Sequence, residues 1–193
     1  MSSSPAVFTL LIGGVRAGKS RRALALAHER SSGGRVLFVA TAQALDDEMS
    51  ARIDAHRRER PAHWDTLESP IDLADDIGGA AKQVEYPYVV VVVDCLTLWV
   101  SNLLLSLPED VPIEAGVGAR AEVLATVLRK CAARGTHVIV VTNEVGLGVV
   151  PPTTLGRRYR DALGHVNQTI AGAADEVSLL IAGLELRLKD RPR

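Results

Sequence analysis

Val7-Phe8-Thr9-Leu10-Leu11-Ile12-Gly13-Gly14-Val15-Arg16-Ala17-Gly18-Lys19-Ser20 joins an apolar run to a glycine-rich turn. The stretch Gly13–Ser20 fits G-x-x-x-x-G-K-[ST], the phosphate-binding loop of P-loop nucleotide enzymes. Its surroundings agree with the motif. The apolar run reads as a buried strand, and Lys19–Arg30, with Ala23, Leu24 and Ala27, reads as a helix. A glycine-rich turn between them lets backbone N–H groups approach phosphate oxygens, and the helix N-terminus adds the positive end of its dipole. In that arrangement Lys19 reaches the β- and γ-phosphates and the Ser20 hydroxyl holds Mg²⁺.

Outward from this loop, apolar runs rich in β-branched residues alternate with helical patterns. Strands are expected at Val7–Ile12, Arg35–Ala40, Tyr88–Val93, His137–Thr142 and Val177–Ile181, with a last strand at Glu185–Leu188. Val89 to Val93 are five consecutive valines. A strand without polar alternation is buried on both faces, as in a parallel sheet covered by helices. Helices are expected at Lys19–Arg30, Asp46–Arg60, Ile71–Lys82, Thr97–Leu105, Glu114–Ala133 and within Thr154–Ala173. The alternation predicts a single α/β P-loop domain (RecA-like) over residues 1–193, with a mainly parallel sheet flanked by helices. Gly183 between the last two strands predicts a C-terminal β-hairpin. Ser106–Pro112 and Gly146–Thr153 read as loops.

Composition narrows the functional class. The chain has 193 residues, 47% of them apolar, enough for a full core and too apolar for disorder. Its net charge is −1 without a long run of one sign, which argues against broad nucleic-acid binding. Cys95 and Cys131 lack metal-ligand spacing, and no disulfide framework is expected, which suits a cytoplasmic enzyme. No signal peptide is expected, and no apolar run is long enough to span a membrane.

Three further features bear on chemistry. Asp94 ends the valine strand, where a P-loop enzyme places its Mg²⁺-side carboxylate; it also suits the cap of the next helix. Asp46–Arg60 reads as a helix with acidic residues in its first turn and basic ones in its last, ending before Pro61. Arg52, His56 and Arg60 fall at i, i+4 and i+8 on one face. That helix is either a solvated charged surface or a histidine nucleophile flanked by phosphate clamps. Asn143 and Glu144 follow the fourth expected strand and could reach a ligand or cap the turn before Gly146. His63 is a weaker candidate for a ligand contact, and His28, His137 and His165 read as surface or structural residues. Arg160, Asp161 and Asn167 either line a substrate pocket or link the last helix to the sheet.

The chain resembles the bifunctional adenosylcobinamide kinase / adenosylcobinamide-phosphate guanylyltransferase family of cobalamin biosynthesis, almost end to end. The blocks are Gly13–Ser20; Ala40-Thr41-Ala42; Asp46-Asp47-Glu48-Met49 with Arg52-Ile53 and His56-Arg57; and Arg60-Pro61-Ala62-His63-Trp64. They continue with Asp94-Cys95-Leu96-Thr97-Leu98-Trp99 and Asn102-Leu103-Leu104, then Thr142-Asn143-Glu144-Val145-Gly146 and Val149-Val150-Pro151. The last are Arg160-Asp161 with Gly164, Asn167-Gln168 and Ala174-Asp175-Glu176-Val177.

The resemblance implies that His56 carries a covalent GMP, with Lys19 and Asp94 also catalytic. It implies nucleotide contacts at Gly13, Gly14, Val15, Arg16, Ala17, Gly18, Lys19, Ser20, Ala40, Thr41, Ala42, Arg57, Arg58, Glu59, Arg60, Glu68 and Asp94, and Mg²⁺ at Ser20 and Asp94. It implies ATP and GTP as substrates, adenosylcobinamide and its phosphate as acceptors, and a homotrimer. Val15 and Ala17 depart from the family's usual loop. Ala55 stands where some members carry a second histidine, so His56 is the helix's one nucleophile candidate. A monofunctional kinase or guanylyltransferase, or a RecA-like regulatory ATPase, is the alternative.

Overall fold

The computed structural model describes residues 5–44, 46–82, 87–108 and 110–190. Its strands are β1 (Phe8–Gly13), β2 (Val36–Ala40), β3 (Asp65–Glu68), β4 (Val90–Asp94), β5 (His137–Asn143), β6 (Glu176–Ile181) and β7 (Leu184–Lys189). They form one sheet in the order β3-β2-β4-β5-β1-β6-β7. Every pairing is parallel except β6 with β7. The helices are α1 (Lys19–Ser31), α2 (Asp47–Glu59), α3 (Leu73–Ala80), α4 (Leu96–Ser106), α5 (Ala119–Ala133) and α6 (Thr154–Ala173). The mainly parallel α/β architecture matches the sequence expectation.

The valine run shows why the sheet is central. Val91 and Val93 enter the apolar cluster built from α3, α4, α5 and α6. Val90 and Val92 enter the cluster on the other face, with Ala23, Leu26 and Ala27 of α1, Phe38 and Trp64. Successive side chains of a strand point to opposite faces, so a strand covered on both must be apolar throughout. Trp99 of α4 is fully buried, and its indole N–H donates to the Ile71 carbonyl at 2.8 Å.

Departures from expectation have local causes. β3 is not signalled by the sequence: it is a four-residue edge strand with alternating half-buried and exposed positions and acidic residues at both ends. The segment expected as one helix over Glu114–Ala133 begins instead with a π-helical turn at Glu114–Gly118. There the His165 ring occupies the space a β-carbon on Gly118 would take, in keeping with a structural role for this histidine. The C-terminal hairpin closes through Ala182 and Gly183, both at positive φ, as its right-handed twist favours.

His137 opens β5, and its Nδ1 accepts the Val7 N–H at 3.1 Å. Burial, then the Arg30 guanidinium, pulls its pKa below the ordinary histidine value. Below about pH 6.5 the unfolded chain therefore binds a proton that the folded chain resists, so stability falls as pH drops from 6.5 through the lowered folded value. Replacing His137 by Gln should flatten this part of the stability–pH curve, as followed by urea unfolding between pH 7 and 5. An unchanged slope would assign the acid sensitivity elsewhere.

Candidate functional site

Parallel register brings the carboxyl ends of six strands to one edge of the sheet. Ala40 pairs with both Glu68 and Asp94, and Gly13 pairs with Asn143. In an open α/β sheet, ligands collect beyond that edge. Here the edge bears a cavity of about 730 Å³, lined by the loop after β1, by α2 and by the ends of β2, β3, β4 and β5.

The loop has the backbone its motif requires. Gly13 is packed so tightly that an added β-carbon would lie 2.3 Å from the Leu180 carbonyl oxygen, and Gly18 takes φ +93° at the start of α1. Neither position accommodates a side chain at normal cost. The Ala17 carbonyl accepts the Gly183 N–H of the C-terminal hairpin at 3.2 Å, which ties the loop to the sheet's last turn. Lys19 is buried, and its ammonium donates to the Gly14 carbonyl at 2.6 Å. Burial lowers its pKa, while Cys95 and Asp94 pull it back up.

Asp94 lies at the cavity floor. Burial pushes its pKa upward, opposed by a hydrogen bond from Ser20 and by the charges of His56, Arg60 and Lys19. Four candidate residues, two from the start of α1 and two from the end of α2, thus act on one carboxylate. The Ser20 hydroxyl and the Asp94 carboxylate converge, a pair of hard oxygen ligands that fits Mg²⁺ when phosphate oxygens complete the shell. Among the described residues no group of three or more His, Cys, Asp or Glu could hold a metal unaided.

α2 roofs the cavity. Asp46 caps it by accepting the Met49 N–H at 2.7 Å, so the helix starts one residue later than expected. No described residue of α2 is fully buried; Met49 and Ile53 line the cavity, and His56, Arg57, Glu59 and Arg60 line it near the C-terminal end. His56 is half exposed, with Nδ1 3.9 Å from the Glu59 carboxylate. Arg57 pairs with Glu68 across the gap to β3. The Arg60 guanidinium stacks 4.0 Å from the Phe38 ring centre and donates to the His56 carbonyl at 3.2 Å. The Arg52 side chain lies outside the described residues. α2 thus presents Met49, Ile53 and His56 to the cavity while most of its other described side chains stay exposed.

Other candidates divide. Ala40, Ala42 and the residues from Val15 to Ser20 line the cavity. Gly13 and Gly14 do not line it, and Arg58 is exposed outside it. Thr41 is fully buried, and its hydroxyl is engaged with the Cys95 backbone, donating to the carbonyl at 2.7 Å. Asn143 lines the cavity, whereas the Glu144 carboxylate accepts the Gly146 N–H and caps the turn. Asn167 is buried, holding Thr142 at 2.7 Å and the Asn143 carbonyl at 3.0 Å; it links α6 to the sheet. Arg160 pairs with Asp161, and the exposed His63 does not line the cavity.

Phe38, Cys95 and Thr97 also line the cavity, though the sequence assigned them no site role. Phe38 was detectable, since it shares a strand face with Ala40 at period two. The Cys95 thiol is pushed up to about 11, chiefly by burial, and stays protonated at neutral pH.

The family model described as cobinamide kinase / cobinamide phosphate guanyltransferase matches residues 9–188. The bifunctional adenosylcobalamin biosynthesis protein CobP of Pseudomonas aeruginosa is 45% identical over 183 residues, 95% of this chain and 98% of its own. The bifunctional adenosylcobalamin biosynthesis protein CobU of Escherichia coli is 40% identical over 188 residues, 93% of this chain and 98% of its own. Among solved structures, an ATPase domain matches with TM-score 0.55 at 15% identity, covering 96% of this chain and 77% of that one. The flagellar accessory protein FlaH of Methanocaldococcus jannaschii matches with TM-score 0.53 at 13% identity, covering 96% and 79%. At these identities the likeness is one of fold alone.

Proposed function

The chain belongs to the cobinamide kinase / cobinamide phosphate guanyltransferase family, and from that premise we propose that one cavity performs both transfers. The observation that supports this most is that α2 brings His56 to the cavity formed by the phosphate loop. In the first reaction the loop's N–H groups and Lys19 hold the β- and γ-phosphates of ATP or GTP. The aminopropanol hydroxyl of adenosylcobinamide attacks the γ-phosphorus and gives up its proton to solvent, the bond to the β-phosphate oxygen breaks, and the nucleoside diphosphate leaves. Lys19 meets the charge that builds on that leaving oxygen. Mg²⁺, held by Ser20 and Asp94, would supply further neutralisation of the phosphate oxygens.

In the second reaction an imidazole nitrogen of His56 attacks the α-phosphorus of GTP. A P–N bond forms as the bond to pyrophosphate breaks. Arg57 and Arg60, which line the cavity, neutralise the phosphate oxygens in this reading, and the loop retains the departing pyrophosphate. An oxygen of adenosylcobinamide phosphate then attacks the same phosphorus. This frees His56 and gives adenosylcobinamide-GDP. Two in-line displacements through a covalent intermediate divide one difficult transfer into two easier ones.

Glu68 gives this reading a base preference. It ends β3 and lines both the main cavity and a recess walled by Arg57, Arg60, Trp64 and Thr66. A carboxylate accepts from the N1–H and 2-amino group of guanine, which adenine cannot match. Glu68→Gln should raise the KM for GTP in guanylyl transfer by ~10–100-fold. ATP-driven phosphorylation should change little. Equal losses with both nucleotides would remove Glu68 from base recognition.

We place the enzyme in the cytoplasm as a homo-oligomer; among the described residues no helix is long and apolar enough to cross a membrane. Separate assays test the whole reading: phosphate transfer to adenosylcobinamide, and guanylyl transfer to its phosphate. Both should proceed. Activity in one assay alone would leave a monofunctional enzyme.

A further inference from the structure

The loop between β5 and α6 carries no charged residue from Val145 to Gly156, in a chain that is 23% charged. Within it Leu147, Val149 and Val150 are 88%, 95% and 58% exposed, and Leu155 in the first turn of α6 is 53% exposed. A scattered exposed apolar residue needs no explanation, but a contiguous group on one loop does. Nor is this a slack segment whose side chains merely failed to find cover. At its start the Glu144 N–H donates to the Gly13 carbonyl at 3.1 Å, and Val145 packs against the core. At its end Arg157 donates to the Pro151 and Pro152 carbonyls at 3.1 and 2.8 Å, and Thr153 accepts the Gly156 N–H at 3.1 Å. Both ends are fixed while the apolar side chains between them face solvent.

The loop's position gives the occupant. It leaves the sheet at Asn143, which lines the nucleotide cavity, and its first residue after Asn143 is bonded to the residue that opens the phosphate loop. A substrate seated on it would reach the nucleotide cavity by way of Asn143. A corrin ring is a broad macrocycle with apolar faces and an uncharged amide rim. It calls for apolar contact, and hydrogen-bonding partners at the rim; a charged surface would waste desolvation. The cavity that Asn143 lines carries Lys19, Asp94, Arg57 and Arg60 and suits the nucleotide, while the loop is uncharged and suits the corrin. We infer that Leu147, Val149 and Val150 form the docking face for the corrin ring, which directs the aminopropanol arm toward Lys19. This rests on the proposed function and names where its second substrate binds.

The combined variant Leu147→Ser with Val149→Ser tests it, because both side chains are largely free of packing and their loss should spare the fold. Equilibrium dialysis with cobinamide should give at least tenfold weaker binding than wild type. The KM for cobinamide should rise similarly, with the KM for GTP, guanylylation of His56 and the elution volume of the native oligomer all unchanged. Wild-type affinity in the variant would overturn the docking face. Weaker binding accompanied by a change in oligomeric state would also overturn it, since a second copy would then cover the loop. The two readings fail separately. Wild-type protein that binds cobinamide but transfers neither group sinks the proposed function alone, and an active variant with wild-type cobinamide affinity sinks only the docking face. Wild-type protein that does not bind cobinamide overturns both.

Discussion

His56→Ala is expected to abolish guanylyl transfer, by ~10⁴-fold or more, while phosphorylation of cobinamide stays within a few-fold of wild type. The asymmetry follows from the cavity. The γ-phosphoryl transfer depends on the loop, Lys19 and Asp94, none of which His56 holds in place. The imidazole is half exposed near the end of α2, and among the described residues no hydrogen bond links its ring to the loop. Its removal leaves no buried cavity and no unpaired charge, so the variant should fold and bind GTP. Separate kinetics of the two transfers, with a thermal melt as the folding control, check the result. Loss of both activities in a folded protein would show that His56 serves the shared nucleotide pose and is not a nucleophile.

Lys19→Ala is expected to reach the opposite pattern, lowering both transfers together. A loss of ~10³-fold in phosphoryl transfer is expected, since the ammonium supplies charge where the leaving oxygen develops it. Guanylyl transfer should fall through weaker binding of the triphosphate and a less stabilised pyrophosphate. Stability should survive, because burial already works against this ammonium, which donates to the Gly14 carbonyl. Nucleotide affinity measured by titration calorimetry, alongside both assays, checks this. Unchanged affinity and unchanged transfer would mean that the loop is not used as proposed.

Much of this was legible in the chain because two physical patterns were strong. Four of the five valines, Val90–Val93, form a strand covered on both faces, as an unbroken apolar run requires, and the strand–turn–helix at the phosphate loop had no other reading of comparable weight. β3 escaped because Asp65–Glu68 is a short edge strand whose pairing is with β2 alone, so no continuous apolar pattern was required of it. The site was half legible. The loop and Asp94 follow from local pattern, but α2 carries a charged sequence that a surface helix would also carry. What separates the two is the chain reversal at Arg60–Trp64, which returns Thr66 and Glu68 beside Arg57 and Arg60. That is a tertiary event, and i, i+4 spacing alone could not encode it. Arg58, exposed on the same helix and outside the cavity lining, shows how proximity in sequence overstates proximity to the site. The tie between Gly183 and Ala17 was equally hidden, since it joins residues more than 160 positions apart.

The most direct test of a shared cavity is the mass of the protein after incubation with GTP and Mg²⁺ in the absence of any corrinoid. Peptide analysis should locate one guanylyl group on His56, with pyrophosphate released in equal amount, and Lys19→Ala should prevent its formation. A guanylyl group on another residue, or none while transfer to cobinamide phosphate still proceeds, would contradict the account.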